Sequence, residues 1–243
     1  MRGLENFSTL VEMTYNKQMN KIILVDKPAG WTSFDVVAKI RGTLNSKYQI
    51  PNTKKIRVGH AGTLDPFATG LLIVLVGEAT KEQDRFMKLD KEYEATLKLG
   101  YSSNTGDPEG VITKNEKPKT DNPSRQQIEK TLNQFLGEIE QTPPAFSAIK
   151  VNGERAYKLA RAGKKVEIKS RRITIHELEI MNFEFPRLKI RVKCSSGTYI
   201  RTLAEDIGAA LGTEAYLTAL RRTKIGNLDI GEAKTIEQAI QNL

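Results

Sequence analysis

Hydrophobic and polar residues alternate along several stretches of the chain, and this pattern predicts strands. Residues 92–99 and 188–194 alternate with a period of two, which is typical of half-buried strands. Uninterrupted apolar runs at 22–25 and 71–76 predict two fully buried strands. In residues 173–185 the apolar positions change phase twice, which predicts a bulge or bend within one strand.

Apolar residues at helical spacing predict three further elements. They lie over 34–44 (Phe34, Val37, Ile40 and Leu44 on one face), 128–136 (ending at Gly137) and 200–211. Thr32 or Ser33 can cap the first helix, and residues 124–127 have the form of a capping box for the second. Ser196 or Thr198 can cap the third. The mixture of strands and helices indicates an α/β fold class.

Composition and charge narrow the class of protein. The 243 residues suit one large domain or two small ones, with 39% hydrophobic residues and no apolar run long enough to span a bilayer. The N-terminus lacks a secretory pattern and there is a single cysteine, so we expect a soluble cytoplasmic protein without a disulfide or Cys-rich zinc site. A net charge of +9 favours a polyanionic partner, most simply nucleic acid, although a merely basic protein has the same composition.

Two charged or polar stretches have candidate roles. Residues 1–18 are polar and aperiodic, and we expect a flexible tail before a domain over 19–243. A basic run follows the middle of the chain and consists of Arg161, Lys164, Lys165, Lys169, Arg171 and Arg172. A solvated face is the ordinary role of such a run. The net charge favours contacts with phosphates instead.

The candidate chemistry is concentrated in residues 57–70, which read RVGHAGTLDPFATG. Asp65 precedes Pro66, which disfavours the α region for Asp65 and presents its side chain on a loop. The carboxylate is then a candidate nucleophile or acid/base. The alternative is structural, because Asp followed by Pro is a common helix start with Asp as the N-cap. Local spacing alone favours the cap.

Residues 59–66 and 68–70 resemble the catalytic motif of the bacterial tRNA pseudouridine synthase B (TruB) family. Further matches follow in order and extend the resemblance from Lys21 to the end of the chain. They are KPAGWTS at 27–33, KEY at 91–93, SSGTYIRTL at 195–203 and LTALRRT at 217–223. The motif around Asp65 is long and specific, so the resemblance favours chemistry over the cap.

The resemblance implies roles for individual residues. The catalytic residues are Asp65, Arg201 placed against it, and Tyr93. The substrate-binding residues are His60, Tyr199 and Leu220 at the flipped base, with phosphate contacts expected from Lys164, Lys165, Arg171 and Arg172 in the basic run. His60 is assigned to stacking or packing. Asp107 matches an acidic family position and has a supporting or structural role, whereas Asn104 departs from the acidic residue that the family often has.

Ordinary structural roles remain open for the same residues. Tyr93 alternates within a strand and fits a half-buried strand tyrosine. Arg201 precedes Glu205 by four residues and fits an exposed helical ion pair. Leu220 fits the core, and Cys194, on the apolar side of its strand, is expected to be a core thiol.

The implied reaction is the isomerisation of uridine 55 in the tRNA T-loop to pseudouridine. The N1–C1′ bond breaks, the base turns and C5 bonds to C1′, so neither redox cofactor nor metal is expected, and the sequence has no P-loop or metal-ligand cluster. The base must be flipped, at a cost of about a few kcal/mol. Arg201 would favour the ionised form of Asp65 against desolvation. Whether Asp65 attacks C1′, attacks C6 or helps remove a C2′ proton stays open.

The resemblance also implies a fold and a mode of recognition. The family has a mixed, largely antiparallel sheet with flanking helices and an insertion, here about 120–172, that grips the T-arm stem-loop. Bacterial members usually carry a small C-terminal RNA-binding module, for which the residues after Lys234 leave no room. We expect a monomer. The alternatives are a tRNA-folding chaperone and a guide-RNA-dependent relative; a glycoside hydrolase would need a second catalytic carboxylate.

Overall fold

The computed structural model describes residues 20–48, 56–147, 149–151, 153–164 and 166–243. The predicted tail over 1–18 lies outside these residues. The chain divides into two compact units, and each is described by itself. The first unit comprises residues 1–89 and 223–243, and the second comprises residues 90–222.

The described residues form thirteen strands and six α-helices. The strands are β1 (Lys21–Lys27), β2 (Val58–Ala61), β3 (Thr69–Val76), β4 (Lys91–Leu99), β5 (Tyr101–Ser103), β6 (Ile112–Lys114), β7 (Gly137–Gln141), β8 (Lys150–Val151), β9 (Glu154–Arg155), β10 (Arg171–Glu184), β11 (Arg187–Cys194), β12 (Ala215–Ile225) and β13 (Leu228–Asp229). The helices are α1 (Ser33–Lys47), α2 (Gln83–Met87), α3 (Arg125–Leu132), α4 (Ala156–Arg161), α5 (Ile200–Leu211) and α6 (Ile236–Gln241). Short 3₁₀ turns lie at Gly77–Glu82, Asn133–Phe135 and Ile230–Glu232.

The first unit is built around β3. This strand pairs antiparallel with β1 and with β2. One of its faces packs Leu72, Val74 and Val76 against α1 and α6, while the other packs Leu71, Ile73 and Leu75 against a second apolar cluster that includes Phe86. Because both faces are covered, the strand consists of apolar residues without alternation, as its sequence predicted.

Helix α1 begins at Ser33, and Thr32, rather than Ser33, is its cap. The Thr32 side chain accepts a hydrogen bond from the Asp35 N–H at 3.0 Å, and the Asp35 carboxylate accepts one from the Thr32 N–H at 2.8 Å. The prediction that Phe34 lies on the apolar face was wrong, since this side chain is 61% exposed. Ser33 occupies the start of the buried face, and Phe34 lies about 100° around the helix from it.

The sheet of the second unit follows the order β12-β4-β11-β10-β7. The pairs β4–β11, β11–β10 and β10–β7 are antiparallel. Buried and half-exposed residues alternate along all of β4 and most of β11, so the period-two predictions were correct. The sheets of both units are therefore largely antiparallel, and the mixed α/β fold class is confirmed.

Strand β10 contains two irregularities in its pairing with β11. The register shifts between Ile175 and Glu177, and again between Ile180 and Asn182. These are the two places where the apolar pattern changes phase along the sequence. The first shift returns Leu178 to the buried face after one extra residue, which is the effect of a bulge, whereas Phe183, after the second, is only half-buried.

The ends of two helices differ from their predictions. Helix α3 has the predicted capping box of Ser124 and Gln127, but it ends at Leu132, and Gly137 begins β7 instead of ending the helix. Helix α5 begins after Tyr199 with no cap from its own side chain. The Thr198 hydroxyl donates to the Ser195 carbonyl at 2.9 Å, an ordinary turn contact. Among the described residues, no helix combines the length and apolar character needed to cross a membrane.

Candidate active site

Asp65 lies in the connection between β2 and β3, and its side chain is half-buried. No helix follows it. The Ala68 N–H donates to the Asp65 carbonyl at 3.1 Å, closing a turn through Pro66 and Phe67, and the chain enters β3 at Thr69. The interpretation of Asp65 as a helix cap was therefore wrong.

The C-terminal side of Asp65 is held by Lys27. This side chain is fully buried, and its ammonium donates to the carbonyls of Pro66 at 3.2 Å, Trp31 at 2.7 Å and Pro28 at 2.9 Å. The Gly30 N–H donates to the same Pro66 carbonyl at 2.8 Å. Three carbonyls around one buried ammonium satisfy its three donors, so the turn after Asp65 is fixed to the 27–33 segment.

The N-terminal side of Asp65 is held by Ser33, which is also buried. Its hydroxyl donates to the Leu64 carbonyl at 3.1 Å and accepts from the Leu64 N–H at 2.8 Å. Both neighbours of Asp65 are thus fixed through their main chain. The sequence interpretation of 27–33 as a turn and cap explains Thr32 but missed the bonds of Lys27 to Pro66 and of Ser33 to Leu64, which join residues more than thirty positions apart.

Ser33→Ala is expected to slow any reaction that depends on Asp65 by about ten-fold and to lower the free energy of unfolding by about 1–3 kcal/mol, because it leaves the buried Leu64 N–H without its acceptor. Single-turnover rates and thermal unfolding measure the two effects. Thr43→Ala is the matched control, because it removes a hydroxyl from the same helix that donates to the Lys39 carbonyl at 3.1 Å on the exposed side. An unchanged rate for Ser33→Ala would contradict a role in placing Asp65.

Arg201, on the first turn of α5, is only 4% exposed. Its guanidinium donates to the carbonyls of Thr105 and Phe146, each at 2.8 Å, and pairs with the Asp107 carboxylate at 3.4 Å. The alternative of an exposed ion pair with Glu205 was wrong. Burial raises the pKa of Glu205 to about 6 although Arg201 acts in the opposite direction.

Asp107 supports Arg201 from a tight turn. Its carboxylate accepts from the Thr105 hydroxyl at 2.6 Å and from the Glu109 N–H at 3.0 Å, and the side chain is buried. Gly106, between them, has φ of 73°. A Cβ at that position would lie 2.7 Å from a carboxylate oxygen of Glu205, so the turn requires glycine both for its backbone and for space.

Tyr93 and Leu220 are buried in the second unit, on β4 and β12. Lys91 shares the buried face of β4 with Tyr93, two residues away. Burial lowers the pKa of the Lys91 ammonium to about 8, and the neighbouring Arg222 adds to the effect. Burial likewise raises the pKa of the Cys194 thiol to about 12, which agrees with an inert core thiol.

Tyr199 is half-buried at the start of α5. The Arg171 guanidinium lies over its ring, 4.9 Å from the ring centre, and also donates to the Gly197 carbonyl. Arg171 was predicted only as a phosphate contact. The sequence did not predict the contact in which its planar guanidinium covers one face of the Tyr199 ring.

The remaining predicted residues are spread over the two units. His60, on β2, lies opposite Val74 of β3, and its carbonyl accepts from the Gln83 side chain at 3.0 Å. Lys164 is exposed after α4, and Arg172 is exposed with its guanidinium 3.4 Å from Glu138. Lys165 lies outside the described residues. Within the described ranges, no three His, Cys, Asp or Glu side chains are grouped so as to hold a metal ion.

Comparison with known sequences identifies the class of the protein. Residues 49–200 match the TruB family pseudouridylate synthase (N terminal domain), and residues 201–242 match the tRNA pseudouridylate synthase B C-terminal domain. The fold is thus that of a pseudouridine synthase. More narrowly, the chain belongs to the TruB family.

Curated relatives support this assignment over nearly the whole chain. The tRNA pseudouridine synthase B of Parabacteroides distasonis is 49% identical over 218 residues, covering 90% of this chain and 91% of the relative. That of Flavobacterium johnsoniae is 45% identical, covering 91% and 96%. That of Thermobifida fusca is 44% identical, covering 89% and 73%. The chain is therefore an isomerase that forms pseudouridine in tRNA, as its motifs predicted.

Solved structures resemble the chain as well. A Cbf5–Nop10–Gar1 complex contains a chain that matches with a TM-score of 0.67 and 29% identity, over 94% of this chain and 55% of that one. An H/ACA RNP bound to a substrate RNA containing 2′-deoxyuridine matches with a TM-score of 0.66 and 27% identity, over 94% and 55%. The present chain spans about half the length of those two chains.

Proposed function

We propose that this enzyme converts uridine 55 in the T-loop of tRNA to pseudouridine, with Asp65 as its catalytic carboxylate. The observation that carries the proposal is the fixing of Asp65 from both sides. Lys27 and Ser33 hold the main chain of Pro66 and Leu64, so the backbone that carries the carboxylate is held in one place. A reacting group held in a defined geometry loses less entropy when it meets its substrate. The motif match at 59–70 supports the same assignment.

The reaction itself is balanced within the substrate. The N1–C1′ bond of the uridine breaks, the base turns, and C5 bonds to C1′; the C5 proton leaves and N1 takes up a proton. Asp65 acts as an ionised group, either by forming a covalent bond or by stabilising charge at the sugar. A positive charge favours the ionised form of a carboxylate in a closed site. The family resemblance and its own charge support Arg201 in that role.

The other proposed residues bind the RNA. Tyr93, Tyr199 and Leu220 are aromatic or apolar groups suited to an extruded base, and His60 is suited to filling the gap that the base leaves. The exposed Lys164 and Arg172 are suited to phosphates, together with Arg171 and with Lys165, whose position is outside the described residues. The region about 120–172, which contains α3, β7 and α4, is proposed to grip the T-arm stem-loop.

Two further parts of the proposal concern the setting of the reaction. Because one chain carries every proposed site residue, we propose that the enzyme acts as a monomer. Because its substrate is tRNA, we propose that it acts in the cytoplasm.

The test uses purified full-length protein and an unmodified tRNA transcript, without added cofactor, followed by mapping of pseudouridine. We expect product at position 55, and none in a transcript with cytidine at that position. An isolated T-arm hairpin should be modified with a kcat/KM close to that of whole tRNA. Product at another uridine would contradict the proposed target. A hairpin poorer by about a hundred-fold, about 3 kcal/mol in transition-state stabilisation, would contradict recognition through the T-arm alone.

A further inference from the structure

Gln141 makes an unusual connection between two distant parts of the second unit. It is the last residue of β7 and is only 1% exposed. Its side-chain amide donates to the Tyr199 carbonyl at 3.1 Å, and its amide oxygen accepts from the Tyr199 N–H at 2.8 Å. One buried side chain therefore satisfies both main-chain groups of the residue at which α5 begins.

This connection lies at the start of a helix that has no side-chain cap. The side chain of Tyr199 makes no capping hydrogen bond, and the Tyr199 carbonyl also accepts the first helical bond, from the Leu203 N–H at 3.1 Å. Helix starts expose main-chain N–H groups that need partners. Here a partner comes from a neighbouring strand, so the start of α5 is fixed to β7 as well as capped.

The ring of Tyr199 is fixed from the adjacent strand. Arg171 is the register partner of Gln141 in the β7–β10 pair, and its guanidinium covers the Tyr199 ring at 4.9 Å. Arg201 follows Tyr199 by two residues, on the first turn of the helix. The directions of both side chains therefore depend on where the backbone of Tyr199 is held.

We propose that Gln141 is a positioning residue, which sets the place of Tyr199 and Arg201 for the isomerisation without touching the RNA. The proposal rests on the proposed function, since it takes Tyr199 and Arg201 as site residues. The required group is specific: it must be neutral, and it must offer one donor and one acceptor at the tip of a two-carbon stem. Glutamine meets this requirement, and an ionised glutamate lacks the donor.

Gln141→Glu gives a test in which the pH decides whether both hydrogen bonds to Tyr199 can form. The protonated carboxyl reproduces both hydrogen bonds, since its O–H can donate to the Tyr199 carbonyl while its other oxygen accepts from the N–H. The ionised form presents an oxygen to that carbonyl and repels it. Burial raises the pKa of such a carboxyl. We expect a single-turnover rate close to that of the unchanged enzyme at acid pH, falling as the pH rises through that pKa.

The free energy of unfolding of Gln141→Glu should also be higher at acid pH and fall as the pH rises. A carboxyl whose pKa is higher in the folded than in the unfolded chain stabilises the fold below its unfolded pKa. That stability is lost as the pH rises through the folded pKa.

Gln141→Met, which is similar in length but has neither donor nor acceptor, should instead react about ten- to a hundred-fold more slowly at every pH, with RNA affinity within about threefold of the original.

Gln238 provides the matched control, outside the region proposed to grip the RNA. It makes a helix-start hydrogen bond of the same kind, accepting from the Thr235 N–H at 3.0 Å at the exposed start of α6. Gln238→Met should lower stability and leave the rate constant unchanged. A rate loss in Gln238→Met as large as that in Gln141→Met would overturn the proposal, because loss of helix stability alone would then explain both.

A further variant separates this inference from the proposed function. Tyr199→Leu should slow the reaction if the tyrosine is a site residue. If Tyr199→Leu is slow while Gln141→Met and Gln141→Glu keep full rates at all pH values, the positioning role is wrong and the proposed function stands. If the unchanged enzyme forms no pseudouridine at position 55, the proposed function itself is wrong. If Gln141→Met does not fold, the pH profile of Gln141→Glu still decides.

Discussion

Asp65→Asn is expected to abolish pseudouridine formation, lowering the single-turnover rate by at least about a thousandfold. The amide has a similar size but can neither carry the charge nor form the bond that the proposed chemistry needs. The loop should keep its conformation, because Lys27 and Ser33 hold the carbonyls and N–H of Pro66 and Leu64 rather than the Asp65 side chain. Thermal unfolding and RNA affinity should therefore stay close to those of the unchanged enzyme.

The control for this prediction is Asp84→Asn, which neutralises an exposed carboxylate on α2 of the same unit. Its rate and stability should be unchanged. Substantial product from a clean Asp65→Asn preparation would remove Asp65 from the mechanism. A large fall in its unfolding temperature would instead show that the carboxylate helps to hold the loop.

Arg201→Lys is expected to lower the rate by about a hundredfold or more and to destabilise the second unit. The guanidinium serves two carbonyls and one carboxylate at once, with a planar fork that an ammonium does not have. Lysine keeps the charge beside Asp107 but leaves buried carbonyls unpaired, and each such group costs about 1–3 kcal/mol. Single-turnover rates and denaturant unfolding measure the two effects.

Arg191→Lys is the matched control, since Arg191 is half-exposed on β11 and pairs with Glu179 at 3.3 Å. Exposed pairs of this kind contribute at most about 1 kcal/mol. This variant should be indistinguishable from the unchanged enzyme. If Arg201→Lys also left the rate and the free energy of unfolding unchanged, the buried guanidinium would have neither a catalytic nor a structural role, contrary to what its contacts indicate.

Features set by neighbours in sequence were predicted well. The alternation of β4 and most of β11, the phase changes of β10 and the capping box of Ser124 and Gln127 each depend on residues within one element. Apolar and polar residues must alternate along a strand that is buried on one face, and a bulge must shift that alternation. The sequence pattern therefore predicts both features. The family and the reaction were also predicted, because the motif around Asp65 is long enough to be specific.

Features set by distant residues were not. Ser33 looked like a helix cap, yet its hydroxyl bonds Leu64, which is 31 residues away. Gln141 and Tyr199 are 58 residues apart, and no local pattern marks a glutamine that caps another element's helix. The burial of Arg201 was missed for the same reason: its acceptors are carbonyls, and every residue has a carbonyl.

The anchoring of the Asp65 loop has a consequence for how such sequences drift over evolutionary time. The acceptors on the loop are the main-chain carbonyls of Leu64 and Pro66, which persist when the side chains are exchanged. Most replacements on the loop side therefore keep the anchor. On the other side, the donors are the side chains of Lys27 and Ser33, so most replacements there remove the donor itself. Selection on the geometry of this loop should act more strongly in the 27–33 segment than on the neighbours of Asp65.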